Sequence, residues 1–172
     1  EIEVCENELL VNGRPVKLRG ICHHEMHPLM GRVMTDELQR RDVELYRSAN
    51  CNFIRTSHYP PDSYMLDLCD RYGIFVEGEA PVCWESGKDS YERISQIFYS
   101  FKSMVIRDRS HPCILLWSLG NESEWKPKFY NSLLLAKELT PNIPVKFSHS
   151  ETHGIIKATD IGAKHYPGWK GL

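Results

Sequence analysis

The run Cys113-Ile-Leu-Leu-Trp-Ser-Leu119 is apolar throughout except at Ser118. A strand with one wet face alternates apolar and polar residues. A strand apolar on both faces is covered on both, as in a parallel sheet flanked by helices. Shorter runs at Leu18–Cys22, Asn52–Thr56, Ile74–Val76, Pro144–Ser148 and Asp160–Tyr166 alternate with segments of helical period. Those segments cover 36–48, the stretch from Pro60-Pro61-Asp62-Ser63 to Gly73, 90–108 and 126–138. Thr35 or Asp36 suits the first cap, and Gly73 suits a helix end. Residues 155–158 are too few for a helix. Upstream, Leu9-Leu10-Val11 and Val16-Lys17-Leu18 flank Asn12-Gly13, a dipeptide that favours a tight hairpin.

This alternation predicts six parallel strands with helices outside. Two closures satisfy it, an open doubly wound sheet and an eight-stranded barrel. Neither GxGxxG nor a phosphate loop follows the first strand, which weakens a nucleotide-binding sheet. Polar residues gather just after the strands: His23, His24 and His27; Ser57 and His58; Glu77 and Glu79; Asn121 and Glu122; His149 and Glu151. A barrel carries its chemistry on that C-terminal face. The expected fold is therefore α/β, an incomplete (β/α)8 barrel of about six of its eight βα units, preceded by a short β-hairpin. The expected organisation is one partial barrel domain over 1–172, with the lead-in hairpin and first strand over 1–20 and the remaining units over 21–172.

Charge excludes some partners. Lysine and arginine number 21 against 23 aspartates and glutamates, so no basic stripe for nucleic acid exists. No apolar run approaches the length of a membrane-spanning helix, and no polybasic anchor is present. The six cysteines form no CxxC pair, and their scatter predicts free thiols. The chain starts at Glu1 without a signal-peptide pattern, which predicts a processed protein or a piece of a longer one.

Glu122 is the sharpest single feature. Gly120 lets the chain bend where the apolar run ends, and Glu122 follows, with Trp117 and Trp125 nearby in sequence. An apolar wall would raise its carboxyl towards the range a general acid needs. The plain alternative is a solvated loop glutamate. His58, between Ser57 and Tyr59-Pro60, can serve a sugar hydroxyl, a carboxylate, or only its own loop backbone. His23-His24-Glu25-Met26-His27 suggests metal, but it lacks the HExxH order, and Pro28 opposes a helix. His149 and His153 fit a site rim or plain surface. Arg107-Asp108-Arg109-Ser110-His111-Pro112 joins a helix to the fourth strand and reads as structural.

Two longer stretches carry a resemblance. Asn52-Phe-Ile-Arg-Thr-Ser-His-Tyr-Pro60, continuing to Asp70-Arg-Tyr-Gly-Ile-Phe-Val76, closely resembles the first signature of glycoside hydrolase family 2. Arg107–Pro112 through Trp117–Glu122 resembles that family's acid/base signature. Arg19-Gly20, His24-Glu25 and His27-Pro28 resemble its first barrel strand. The resemblance covers essentially the whole chain and is weakest at 83–100 and 149–158.

The family includes β-galactosidases, β-glucuronidases and β-mannosidases. The resemblance implies a retaining β-glycosidase on terminal β-linked sugars, β-galactosidase-like, with Glu122 as acid/base. It implies that Asn121 binds the sugar 2-hydroxyl, that His24 and His58 line the pocket, and that Tyr166 contacts the nucleophile. Where the β-galactosidase branch carries a metal-binding Glu-x-His, this chain has Pro81-Val-Cys-Trp-Glu85, so neither a metal nor another cofactor is expected. Cys22 replaces the usual asparagine of the first strand motif. Ser123 follows Asn-Glu as in β-galactosidases, where β-glucuronidases tend to have proline.

The nucleophile of the family is a second glutamate after a seventh strand. It is expected beyond Leu172, and Glu151 does not fit its motif. The 172 residues alone are therefore expected to be inactive and poorly stable. The alternatives are a non-catalytic carbohydrate-binding or pseudoenzyme barrel and, further off, a metal-dependent hydrolase using His23, His24 and His27. Expected partners are a carbohydrate substrate and the remaining domains of the parent chain, immunoglobulin-like and barrel. Neither nucleic acid nor membrane is expected, and self-association and compartment stay open.

Overall fold

The computed structural model describes residues 1–148 and 158–163. Three short antiparallel strands come first, β1 (Ile2–Cys5), β2 (Glu8–Val11) and β3 (Arg14–Pro15). Asn12 and Gly13 both take positive φ, 51° and 72°, so the hairpin turn is two residues long. That turn sets the register: Val11 faces Arg14 and Leu10 faces Pro15. The returning strand is therefore Arg14–Pro15, ahead of the expected Val16–Leu18. The strand Ile2–Cys5 lacked a strong apolar signature and was not expected.

The second sheet has five parallel strands in the order β4-β5-β6-β7-β8. They are β4 (Gly20–His23), β5 (Phe53–Thr56), β6 (Phe75–Glu79), β7 (Ile114–Ser118) and β8 (Val145–Lys146). Sequential order without reversal is that of a barrel wall; a doubly wound sheet reverses direction at a switch point. Helices α1 (Asp36–Ser48), α2 (Ser63–Tyr72), α3 (Tyr91–Asp108) and α4 (Tyr130–Leu139) connect the strands. The expected helix at 126–138 opens instead as a 3₁₀ turn over Pro127–Phe129. Among the described residues no helix is long and apolar enough to cross a membrane.

Local chemistry sets the helix ends. Thr35, Asp62 and Ser90 each accept a backbone N–H from the first turns of α1, α2 and α3, and Gly73 closes α2 at φ 65°. Val43, Ile54, Met65, Leu68, Val76, Phe101, Val105 and Trp117 pack into one core between sheet and helices. All six cysteines are free, with Cys69 and Cys113 buried.

Several strands differ from their sequence expectation; the fifth, expected over Pro144–Ser148, is only Val145–Lys146. The first starts at Gly20 because the Asn52 side chain takes the backbone before it: Oδ1 accepts the Arg19 N–H at 2.7 Å and Nδ2 donates to the Lys17 carbonyl at 3.0 Å. The third runs on to Glu79, with Glu77 and Glu79 beside Leu116 and Ser118 of β7. Within the described part of the expected sixth strand, residues 160–163, Ile161 bridges to Lys146, and the Asp160 carboxylate beside it accepts the Val145 N–H. Its remaining residues, Lys164 to Tyr166, lie outside the described residues.

Gly78 shows how tightly sheet and helices meet. A Cβ there would sit 2.7 Å from the Trp117 ring. That ring is buried, and its indole N–H is fixed by donation to Thr140 Oγ1 at 3.0 Å. Gly78→Ala should therefore destabilise the protein by about 1–3 kcal/mol through overpacking. Denaturant unfolding of the variant beside the unsubstituted chain measures this.

Candidate active site

Positions of β5, β6 and β8 near their C-terminal ends carry charge, and β7 adds the Ser118 hydroxyl, where apolar filling is usual in barrels. Glu79 is fully buried. Its Oε1 lies 2.5 Å from His58 Nδ1, and its Oε2 accepts Arg55 Nε at 2.7 Å and the Ser118 hydroxyl at 2.8 Å. A carboxylate facing that many donors is ionised, so Nδ1 of His58 carries the hydrogen. Burial alone would raise the Glu79 carboxyl; the hydrogen bond of His58, with Arg55 and Ser118 beside it, outweighs burial and holds it below the usual carboxylate range. Next to this group, Glu77 lies 3.4 Å from Arg55 and pairs with Lys146 at 2.6 Å.

Arg55 also reaches upward. Its Nη2 donates to Asn121 Oδ1 at 2.6 Å. The other end of that amide, Nδ2, points to Cys83 Sγ at 3.2 Å. Asn121 is thus clamped from below and from the side, and Glu122 follows it in the chain. Glu122 holds a left-handed backbone, φ 42°, uncommon for a non-glycine residue. Trp84 Nε1 donates to its Oε2 at 2.7 Å.

His24 and His58 stand edge to face with ring centroids 5.5 Å apart, and Tyr59 lies 6.0 Å from His24. Burial, then the charges of His58 and Arg32, lower the His24 pKa. One chain of contacts therefore runs from His24 through His58, Glu79 and Arg55 to Asn121, beside Glu122. Of the expected site residues, His24, His58, Asn121 and Glu122 are brought to one end of the sheet. Tyr166, like His149, Glu151 and His153, lies outside the described residues.

Several expectations need correction. The tryptophan bonded to Glu122 is Trp84. Trp117 points into the helix layer, and Trp125 packs on Phe129 and Phe147. Glu77 and Glu79 lie within a strand and do not follow it. The three N-terminal histidines diverge: His23 meets Tyr46, His24 meets His58, and His27 accepts the Leu29 N–H. Among the described residues the grouping with metal-ligand potential is Asp70, His111 and Cys113. It sits where strands begin. Asp70 there already binds the His111 ring and the Cys113 N–H, both at 2.7 Å, and burial pushes the Cys113 thiol far up. Those contacts make it a structural junction between α2 and β7. Arg107, pairing with Asp108 and donating to the Pro61 carbonyl, is structural in the same sense.

Arg55 and Trp84 were not singled out from the sequence. A charge inside the apolar run Phe53-Ile-Arg-Thr56 was a usable signal for Arg55. Nothing near Trp84 in the chain points to Glu122.

A parallel βα wall with a buried ionic layer under a histidine- and carboxylate-bearing face defines the class: a barrel of the kind enzymes use. Comparison narrows it. The profile described as "Glycosyl hydrolases family 2, TIM barrel domain" matches residues 2–170, and the chain belongs to that family. It is 37% identical over 173 residues to a β-galactosidase of Vibrio vulnificus and 38% identical to one of Pectobacterium atrosepticum, covering 96% of this chain each time. The chain spans 16% of the length of those relatives. Among solved structures, a β-galacturonidase of Eisenbergiella tayi bound to galacturonate superposes with TM-score 0.83 at 29% identity, covering 88% of this chain and 29% of that one. A Faecalibacterium prausnitzii β-glucuronidase superposes with TM-score 0.77 at 37% identity, covering 86% and 27%.

His23 supplies a pH test. Its ring is buried, it shares a 2.8 Å hydrogen bond with Tyr46, and its Nε2 meets no partner. Burial, with the neighbouring His24 charge, lowers its pKa from 6.5 to about 4. The unfolded chain binds a proton between those values and the folded chain does not. Stability is then full above about pH 6.5 and falls as pH drops to about 4, by on the order of 3 kcal/mol in total. Unfolding curves from pH 7 to 4 should show this slope, and His23→Phe should flatten it.

Proposed function

We propose that the protein containing this chain is a retaining β-glycosidase acting on terminal β-linked sugars, β-galactosidase-like, with Glu122 as its acid/base. The observation that carries the reading is the clamp on Asn121: Arg55, itself neutralised by Glu79, holds the residue next to Glu122 at 2.6 Å. An acid/base group must keep its position through two proton transfers, and a fixed neighbour on a strand end provides that. Family membership and the β-galactosidase relatives support the same reading.

In this mechanism Glu122 gives its proton to the glycosidic oxygen as the leaving group departs. A second carboxylate, about 5–5.5 Å from the first, takes the anomeric carbon and forms a glycosyl-enzyme. Glu122, now ionised, removes a proton from water, which releases the sugar with its configuration kept. Asn121 faces the sugar 2-hydroxyl, His24 and His58 line the pocket, and Tyr166 contacts the nucleophile. With Nδ1 of His58 committed to Glu79, its Nε2 is the nitrogen left to address a sugar hydroxyl. The nucleophile belongs to a later barrel strand. Carbohydrate is the partner this site takes, and no residue role here calls for a cofactor.

Glu122→Gln in the full-length protein should lower turnover of alkyl and unactivated aryl β-glycosides by about 100-fold or more. Dinitrophenyl glycosides, whose leaving group needs no proton, should still load the enzyme. Equal turnover by Glu122→Gln and the unsubstituted protein would remove Glu122 from the acid/base role, and no turnover of any substrate by the unsubstituted protein would leave only a carbohydrate-binding barrel. A polypeptide limited to residues 1–172 should turn over none of these substrates, because it lacks the nucleophile. Steady-state release of nitrophenol from that polypeptide, sensitive to Glu122→Gln, would refute the assignment of the second carboxylate.

A further inference from the structure

Trp84 is the most conspicuous side chain that the mechanism leaves unused. It is a large aromatic residue, 73% exposed, in the loop after β6, and its indole N–H donates to Glu122 Oε2 at 2.7 Å. Two residues meeting at this bond, Trp84 and Glu122, both hold left-handed backbone, φ 55° and 42°. Non-glycine residues adopt that region at a cost and persist there where the surroundings enforce it.

The surroundings do enforce it. The loop is laced to the Asn121 segment by backbone hydrogen bonds: Asn121 N–H to the Val82 carbonyl at 2.8 Å and Trp84 N–H to the Asn121 carbonyl at 3.0 Å. Glu85 N–H donates to Ser123 Oγ at 3.0 Å, and Glu124 N–H donates to the Glu85 carbonyl at 3.0 Å. The Glu85 side chain is in turn held by Arg93 and by the fully buried Lys128. Trp84 is thus a fixed feature of the rim, and its contact with Glu122 follows from a rigid frame.

We propose that Trp84 is the leaving-group residue of this site: its N–H positions Glu122, and its exposed ring receives the planar or apolar face of the departing group. The inference rests on the acid/base role of Glu122. An acid/base carboxylate touches the glycosidic oxygen, and everything beyond that oxygen is leaving group. An indole one hydrogen bond from the same carboxylate borders that space. Aromatic faces stack on aryl rings and on the C–H faces of sugars, so the class of substrate favoured is a β-glycoside of an aryl group or of a second sugar. A small alkyl leaving group has no face to offer.

The two roles separate by substitution in the full-length protein. The indole N–H is a donor aimed at the Glu122 carboxylate, and a donor of this kind favours the charged form of a carboxyl group. Trp84→Phe keeps a ring and loses that donor, so Glu122 should hold its proton to higher pH. The alkaline limb of kcat/KM should move up by about half a pH unit, since that limb reports the essential acid. Trp84→Ala should show the same move and, in addition, about a tenfold rise in KM for aryl and disaccharide substrates with little change for the methyl glycoside. Dinitrophenyl glycosides, independent of proton donation, should react with Trp84→Phe at the unsubstituted rate, which also shows that the variant folds. Glu122-dependent turnover with pH profiles unmoved in both variants, or with KM rising equally for methyl and aryl glycosides, would overturn the role of Trp84 alone. Absence of Glu122-dependent turnover in the unsubstituted protein would overturn the function proposed above and this inference with it.

Discussion

The Glu79 carboxylate has no exposure to water and is surrounded by donors from three directions. A carboxylate buried without partners costs far more than a domain can spare. Arg55 on β5, Ser118 on β7 and His58 in the loop after β5 together remove that cost. Taking one partner from a buried pair costs about 3–5 kcal/mol, much of it from the charge left behind. The three strands are therefore tied at their C-terminal ends by an interaction that tolerates little displacement. Arg55 extends the tie to Asn121, so the position next to Glu122 is fixed by electrostatics inside the wall, and the surface loops inherit their placement from it.

A second layer of order sits above. The 81–85 and 121–124 segments share backbone hydrogen bonds almost as a short extension of the sheet, including the bridge between Cys83 and Asn121. Lys128 anchors this layer from the side through Glu85, Asp89 and the Gly87 carbonyl. A fully buried ammonium with those acceptors cannot leave without exposing three of them, so the loop is held as firmly as a strand end.

Much of this was legible in the sequence where the residue pattern and the environment agree. The run Ile114–Ser118 is buried at every position, as its lack of alternation implies. Thr35 and Gly73 stand at the helix ends their chemistry favours. The pattern misled where charge enters the wall. Glu77 and Glu79 look like loop residues because strands are expected to be apolar, yet they alternate inward and find Arg55 and Lys146 there. Leu18 looks like strand, but its neighbours pair with the Asn52 side chain. Glu122 and His58 were recognisable through the two long signatures. Trp84 was not, because its contact with Glu122 joins residues 38 apart and depends on backbone lacing that leaves no trace in local composition.

That lacing also distributes freedom unevenly along the rim. Val82 lends its carbonyl to Asn121, Cys83 its sulfur to the Asn121 amide, and Glu85 its carboxylate to Arg93 and Lys128. Each is committed to the frame. At position 84 the backbone is committed to the frame, while the side chain is tied only through its N–H to Glu122 and leaves its ring exposed. A change there reaches Glu122 and the exposed rim but not the frame, β-branched residues excepted, since left-handed backbone disfavours them. Evolution thus has at this one position a place to alter what the rim offers an incoming molecule while the buried ionic layer and the fold that depends on it stay as they are.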